Sequence, residues 1–511
     1  MSDRKFHRPM GTLLIAIALP VSAMAQVQSS PSSTASSLYG SVTTSSPSAT
    51  VLPLSLDDAI QRGVAHNLQI ALANEDKRSA SGERLEAINY LLPNITWNAQ
   101  RNRDQINLEA LGFRSSVLAT FPPGFLPPGQ IANFQPLVTV NVVSAQATLR
   151  QTLFDLKSLE LYQAAKQEIL AVDYSAESSR QDVVQTVANS YLQALANAAN
   201  VLNAKSLLAT NAEILRQATL EHEAGTAAKL DELRARVQYQ QQEQVVIAQQ
   251  NAFEKSKVTL NREIGLPADQ PIELTDDTPF AALNAMPLEE ALTDAYANRQ
   301  DYRRLKVKLR SAKYQRDAAR FERLPTLSFD GNYGLVGTVG GVYHGVFQAE
   351  GALNISLSRL AKFRGDREVA DAAVTSTMSQ LADLKRKIEA QLRDSLLDVA
   401  ATEQLVHVGR SNVDLARSSL SDATERFQNG ISDDLPVIQA QAAFADAEAQ
   451  LVNSLYQYNR AKLGLARNLG TIDRQYRAYL GVSNQTTQLR DISNPRAARW
   501  TSFEQNTRNG E

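Results

Sequence analysis

Two hydrophobic periods alternate along this chain, and the alternation occurs twice. A first helix is predicted from about Ser55 to Leu91, with Ser55 as its N-cap and Asp57 and Asp58 in the first turn, where carboxylates meet the positive end of the helix dipole. Its counterpart runs from about Leu288 to Arg323, opening on Glu289 and Glu290. Pro93 and Pro325 follow the two helices, and after each the period changes from helical to two. Ile95, Trp97 and Ala99 alternate with Thr96, Asn98 and Gln100, and Val143, Ala145, Ala147 and Leu149 with Ser144, Gln146, Thr148 and Arg150. In the second half Leu327, Phe329, Tyr333 and Leu335 alternate with Ser328, Asp330, Asn332 and Gly334. Phe347, Ala349, Leu353, Ile355 and Leu357 then alternate with Gln348, Glu350, Asn354, Ser356 and Ser358. Such strands fit a half-buried soluble hairpin or the wall of a membrane barrel, apolar outward and polar inward.

The segments after the strands are far longer than a compact core needs. Gln151 to Ala224 is one run with neither Gly nor Pro, and Thr226 to Ile264 has neither. A helix through most of the first run reaches roughly 100 Å. Within it Val184, Val187, Tyr191, Ala194, Ala198, Val201, Lys205, Leu208, Ala212 and Leu215 follow 3-4 spacing, the seam of a supercoiled helix. Leu381, Leu384, Ile388, Leu392, Leu396, Val399 and Val406 repeat that seam. Gly225 and Gly430 interrupt the helices at matching places, as tight turns between antiparallel helices require.

The halves align. Leu56-Asp57-Asp58-Ala59 falls on Leu288-Glu289-Glu290-Ala291 at an offset of 232, which also pairs Pro93 with Pro325; Gly225 pairs with Gly430 and Gly265 with Gly470 at an offset of 205. The difference between the two offsets is placed in the first half, in the stretch holding Phe121-Pro122-Pro123-Gly124 and Pro127-Pro128-Gly129. Collinear blocks sharing turn residues argue duplication. Each half is helix, strand, strand, long helix, turn, helix: a mainly α fold with a β portion.

Composition narrows the setting. Arg4, Lys5 and Arg8, the apolar run from Met10 to Leu19, and Ala23-Met24-Ala25 have the three parts of a secretory signal peptide over 1–25. That run is too short for a spanning helix, which needs roughly 20 residues. No later segment is long and apolar enough, so residence in a second membrane has to be as a barrel. The chain has no cysteine, which excludes disulfides, thiolate metal sites and an acylated cysteine at the mature N-terminus. Without the signal's three bases and one acid, 49 basic against 53 acidic residues leave about −4, no footprint for nucleic acid. The histidines at 7, 66, 222, 344 and 407 form no i, i+4 pair, and enzyme function finds no support. His222, between Glu221 and Glu223, reads as a solvated turn residue. Residues 26–53 read as a flexible Ser/Thr-rich lead-in, 54–270 and 271–475 as the two repeats, and 476–511 as a polar tail, disordered or lying against the helices.

Over about residues 54 to 475 the chain resembles the TolC family of outer-membrane efflux proteins. The resemblance is carried by Leu56-Asp57-Asp58-Ala59-Ile60 with its echo Leu288-Glu289-Glu290-Ala291-Leu292, by Pro93 and Pro325, and by the turn glycines. It implies a homotrimer whose chains each give four strands to one twelve-stranded transmembrane β-barrel and their helices to a long α-helical tunnel across the periplasm. It implies passive export through the outer membrane, driven by an inner-membrane pump and opened by a periplasmic adaptor at the helix turns, with no cofactor and no metal site. The gate and adaptor contacts would then be Gly225, Thr226 and Asp231 in one turn and Phe427, Gly430, Ser432, Asp433 and Asp434 in the other. Asp231 stands six residues past its glycine, as the family pattern has it. The second turn departs from that pattern, with Pro436 and Gln439 where acids are common and Asp433 and Asp434 earlier. The competing reading, a periplasmic adaptor or other structural coiled-coil protein, shares the export signal and a long helical hairpin, but places one hairpin between compact β domains.

Overall fold

A computed structural model describes residues 40–41, 48–112, 114, 116, 135–226, 228–276, 280–284, 286–355, 359–429, 431 and 435–481. The signal peptide, the proline-rich loop, the tail beyond 481, Ser356 to Ser358, and Gly430, Ser432, Asp433 and Asp434 fall outside them.

The first half runs β1 (Leu52–Leu54), α1 (Leu56–His66), α2 (Leu68–Asn89), β2 (Asn94–Asn107), β3 (Leu137–Phe154), α3 (Leu156–Glu223) and α4 (Lys229–Glu263). The second runs β4 (Ile272–Leu274), α5 (Leu288–Asn298), α6 (Gln300–Phe321), β5 (Thr326–Thr338), β6 (Tyr343–Asn354), α7 (Leu360–Gln428), α8 (Leu435–Leu469) and α9 (Ile472–Leu480). The duplication is visible in the element order. The β2–β3 connection runs from Leu108 to Pro136, while β5 and β6 are joined by Val339 to Val342 alone, so nearly all of the difference between the two offsets lies there.

Ser55 caps α1 as expected, its side chain accepting from Asp58 N. The helix predicted through Leu91 is broken, however. Asn67 is extended (ψ 132°) and its side chain caps α2 by accepting from Gln69 N. Arg299, its counterpart at the first offset, is extended too (ψ 124°) and parts α5 from α6. No Gly or Pro stands at either break, so only the backbone reveals them. A parallel pairing of β1 with β4 was also illegible, since so short a strand carries no period.

The four strands form one antiparallel sheet in the order β2-β3-β5-β6. Its register gathers the expected faces: Trp97 lies opposite Ala147, Ala147 opposite Tyr333, and Tyr333 opposite Phe347. One residue away Thr96, Thr148, Asn332 and Gln348 make a polar row. On that face Arg150 meets Asp330 at 3.2 Å, and Asn332 donates to Gln348 at 3.3 Å. The apolar face is exposed, with Phe347 81% accessible and Trp97 71%. The outer edges of β2 and β6 have no strand beside them in this chain, among the described residues.

Below the sheet the helices pack as a layer. α2, α3, α6 and α7 are successive neighbours in its upper part, and α4, α3, α8 and α7 in its lower part. The expected seam of α3 holds through Val201, then shifts: Lys205 and Ala212 are exposed, and Ala204 and Asn211 are buried instead. The Ala204 carbonyl accepts from Gln242 of α4 (2.9 Å), and its small side chain suits the close approach that a lysine would prevent. The second seam is buried at Ile388, Leu392, Val399 and Val406.

Two terminal readings change. Ser41 donates its N–H to Arg262 O (2.9 Å), and Ser48 N donates to Gln270 Oε1 (2.8 Å), so these parts of the lead-in are held on the body by backbone hydrogen bonds rather than apolar burial. The polar tail does not begin at 476: α9 continues through Leu480 with Ile472 and Leu480 fully buried, and Tyr476 and Arg477 bind Asp57 at 2.6 and 2.9 Å.

Candidate functional site

Charge is held in a defined geometry at the helix turns farthest from the sheet and at the junction where helices meet strands.

At the first turn Gly225 has φ +75° and closes α3. Its N–H donates to His222 O (3.0 Å), and Thr226 N donates to Glu221 O (2.9 Å), the paired bonds that satisfy the last carbonyls of a helix ending in a left-handed glycine. At the second turn Ile431 N donates to Arg426 O (2.9 Å), the same bond carried over by the second offset. Phe427 is half-buried in the last turn of α7. Gly225, Thr226 and Asp231 therefore share one turn, with Asp231 paired to Arg234 of its own helix at 3.3 Å.

The residue beside Asp231 escaped the sequence reading. Glu232 is almost wholly buried, with Arg236 at 2.8 Å, His222 at 3.9 Å and Lys229 in contact. The Lys229 ammonium, with Arg236 and His222 beside it, holds its carboxyl below the usual range. His222 is accordingly not a purely solvated turn residue. The spacing Lys229, Glu232, Arg236 was the available signal, since i−3 and i+4 neighbours share a face. On the opposite face of α4 an open groove of about 350 Å³ is lined by Leu230, Leu233, Arg234, Val237, Gln238 and Ile438.

At the junction Glu322 follows α6, and Lys157 and Lys362, which occupy matching repeat positions in α3 and α7, converge on it; the Lys157 contact is 3.1 Å. Burial opposes ionisation of Glu322, yet the hydrogen bonds from Lys362 and Lys157 hold its pKa down to about 2. Its folded value thus lies below the usual 4.5, so the stabilisation it supplies is complete above pH 4.5 and is lost as pH falls through about 2. Glu322→Gln should abolish that part of the acid sensitivity. Urea midpoints of parent and variant, measured between pH 5 and 2, should converge as pH falls; a constant gap would refute the linkage.

One exposed apolar sheet face, a polar face behind it and helices of about 100 Å beneath fit the wall of a membrane barrel standing on a helical layer. The family model described as outer membrane efflux protein matches residues 56–266 and 291–471. The chain belongs to that family, and its place is the outer membrane. It is 26% identical over 329 residues to the toluene efflux pump outer membrane protein TtgF of Pseudomonas putida, an alignment covering 62% of this chain. It spans 66%, just under two thirds, of that relative's length. To the outer membrane protein TolC of Escherichia coli it is 23% identical over 371 residues, 66% of this chain and 71% of the relative. The crystal structure of the Campylobacter jejuni CmeC outer membrane channel shares the fold, with a TM-score of 0.66 at 15% identity over 82% of this chain and 86% of that one.

Proposed function

We propose that this chain is one protomer of a homotrimeric exit duct in the outer membrane, through which a pump expels its cargo passively. The observation that carries this reading is the open sheet. Four strands with an exposed apolar face leave two unpaired edges, which hydrocarbon does not tolerate, and closing them requires further copies. Three copies give twelve strands, and the helical layers below them close into a tunnel in register with the barrel. Native mass analysis in detergent should show trimers only; a stable folded monomer would refute the assembly.

The duct has no energy source of its own, so its partners are an inner-membrane pump and a periplasmic adaptor that engages the helix turns. The gate is assigned to Gly225, Thr226, Asp231, Phe427, Gly430, Ser432, Asp433 and Asp434, with Asp433 and Asp434 lining the entrance. Carboxylates brought together by three-fold symmetry repel, and cations, hydrogen bonds or protonation offset that repulsion. Replacing Asp433 and Asp434 together by Asn is expected to weaken cation block of single-channel current in planar bilayers at unchanged trimer yield. Block equal to the parent's would place the ring elsewhere.

A further inference from the structure

The repeats differ most in charge between two helices of equal length. α6 carries eight basic and two acidic residues, a net of +6, while α2, its counterpart, carries three basic and four acidic, a net of −1. Several α6 bases are neutralised: Lys308 by Glu168, Arg316 by Asp317, and Arg320 by Asp317 and Asp371. Arg303, Lys306, Arg310 and Lys313 have no carboxylate partner among the described residues. Their 3-4-3 spacing sets them on one face of the helix at steps of about 5 Å. Like charges three and four residues apart repel, so this row works against the helix that bears it.

The row faces out of the helical layer. α6 is flanked by α3 on one side and α7 on the other. Lys306, Arg310 and Lys313 are exposed, and only the N-terminal end of the row lies beside α5: Arg303 donates to Ala297 O, the Tyr302 ring stands 5.2 Å from that of Tyr296, and Lys306 Nζ lies 5.4 Å from the Tyr302 centroid. Being interior to its layer, α6 offers this face to no neighbouring copy in the trimer. The chain's own ends do not fit it either: residues 26–50 bear no charge, and 482–511 hold four arginines against three acids. The bilayer is too far, since α6 runs eight residues beyond Lys313, about 12 Å, before the strand begins, and headgroups add only about 5–8 Å to each side of the hydrocarbon. A folded protein partner would need apolar anchors, and none of the exposed large apolar residues lies in α6. A cation row whose Lys306 stands beside the half-buried Tyr302 ring suits a polymer that pairs carboxylates with sugar faces.

We propose that the outer face of α6 binds a linear carboxylated glycan through Arg303, Lys306, Arg310 and Lys313, with Tyr296 and Tyr302 supporting one end. Binding is electrostatic and falls with salt. The test uses the full-length protein in detergent with fluorescent polygalacturonate, and with poly-L-glutamate and neutral dextran as comparison ligands. Polygalacturonate should bind in a salt-sensitive manner, more tightly than poly-L-glutamate at equal charge, and dextran should not bind. Replacing Lys306, Arg310 and Lys313 together by Gln should weaken it about tenfold or more at unchanged trimer yield. Changing Lys77 and Arg78 of α2 to Gln should leave it as it was, and Lys306→Arg with Lys313→Arg, which keeps the charge, should bind as the parent does. If the triple variant misfolds, Arg310→Gln alone should show a smaller loss. Absence of binding, equal affinity for poly-L-glutamate, or full binding by the glutamine variants would each overturn the assignment.

Discussion

Arginine at Phe347 is expected to destabilise the folded protein by about 2–4 kcal/mol, whereas arginine at the adjacent Gln348 should be tolerated. The two side chains are neighbours in sequence and lie on opposite faces of β6. Phe347 stands in the row with Trp97, Ala147 and Tyr333 and is 81% accessible, a position that only lipid would cover. Gln348 stands in the row with Thr96, Thr148 and Asn332, where an added charge stays in water. Depth matters as much as face. Phe347 and Gln348 lie near the middle of β6, but Leu353 is next to its last residue, where the penalty for arginine falls to about 0–1 kcal/mol. Leu353→Arg is therefore a weak test and Phe347→Arg a strong one. Urea titration of refolding into liposomes measures both; equal tolerance at Phe347 and Gln348 would mean that the sheet is not a barrel wall.

Gly470→Ala is expected to cost more than about 3 kcal/mol, and Gly225→Ala about 1–2 kcal/mol, although both glycines have nearly the same backbone. Their φ values are +78° and +75°, so the left-handed penalty is shared. Their surroundings are not. A Cβ at Gly225 would meet nothing within 4 Å, while one at Gly470 would fall 2.8 Å from Arg299 N and from Asn298 C, both backbone. Arg299 cannot retreat, because its buried guanidinium binds Asp301 (2.7 Å), Gln391 (3.0 Å) and the Asn468 carbonyl (3.3 Å). Gly265 makes the corresponding contact in the first repeat, where a Cβ would lie 2.6 Å from His66. Each repeat thus seats a turn glycine against the break in its short helix pair. Urea midpoints for the two variants separate the terms: equal losses would show that strain alone sets the cost.

Much of this was written in one dimension. The duplication, the four strands with their apolar and polar faces, and two helices far longer than a core can hold follow from periods of 2 and 3-4 and from the placing of Gly and Pro, because those patterns act on the backbone locally. The offset of 205 carried the Gly225 turn onto its counterpart, whose Ile431–Arg426 bond the structure shows. What depends on which helix lies beside which was not written there. The breaks at Asn67 and Arg299, the seam's move from Lys205 to Ala204, the burial of α9, the hub at Glu322 and the enclosure of Glu232 all arise from contacts between residues distant in the chain, or from backbone turns that no Gly or Pro marks. Polarity along a sequence fixes which face is buried; only packing in three dimensions decides against what, and that choice determines where charge can be held.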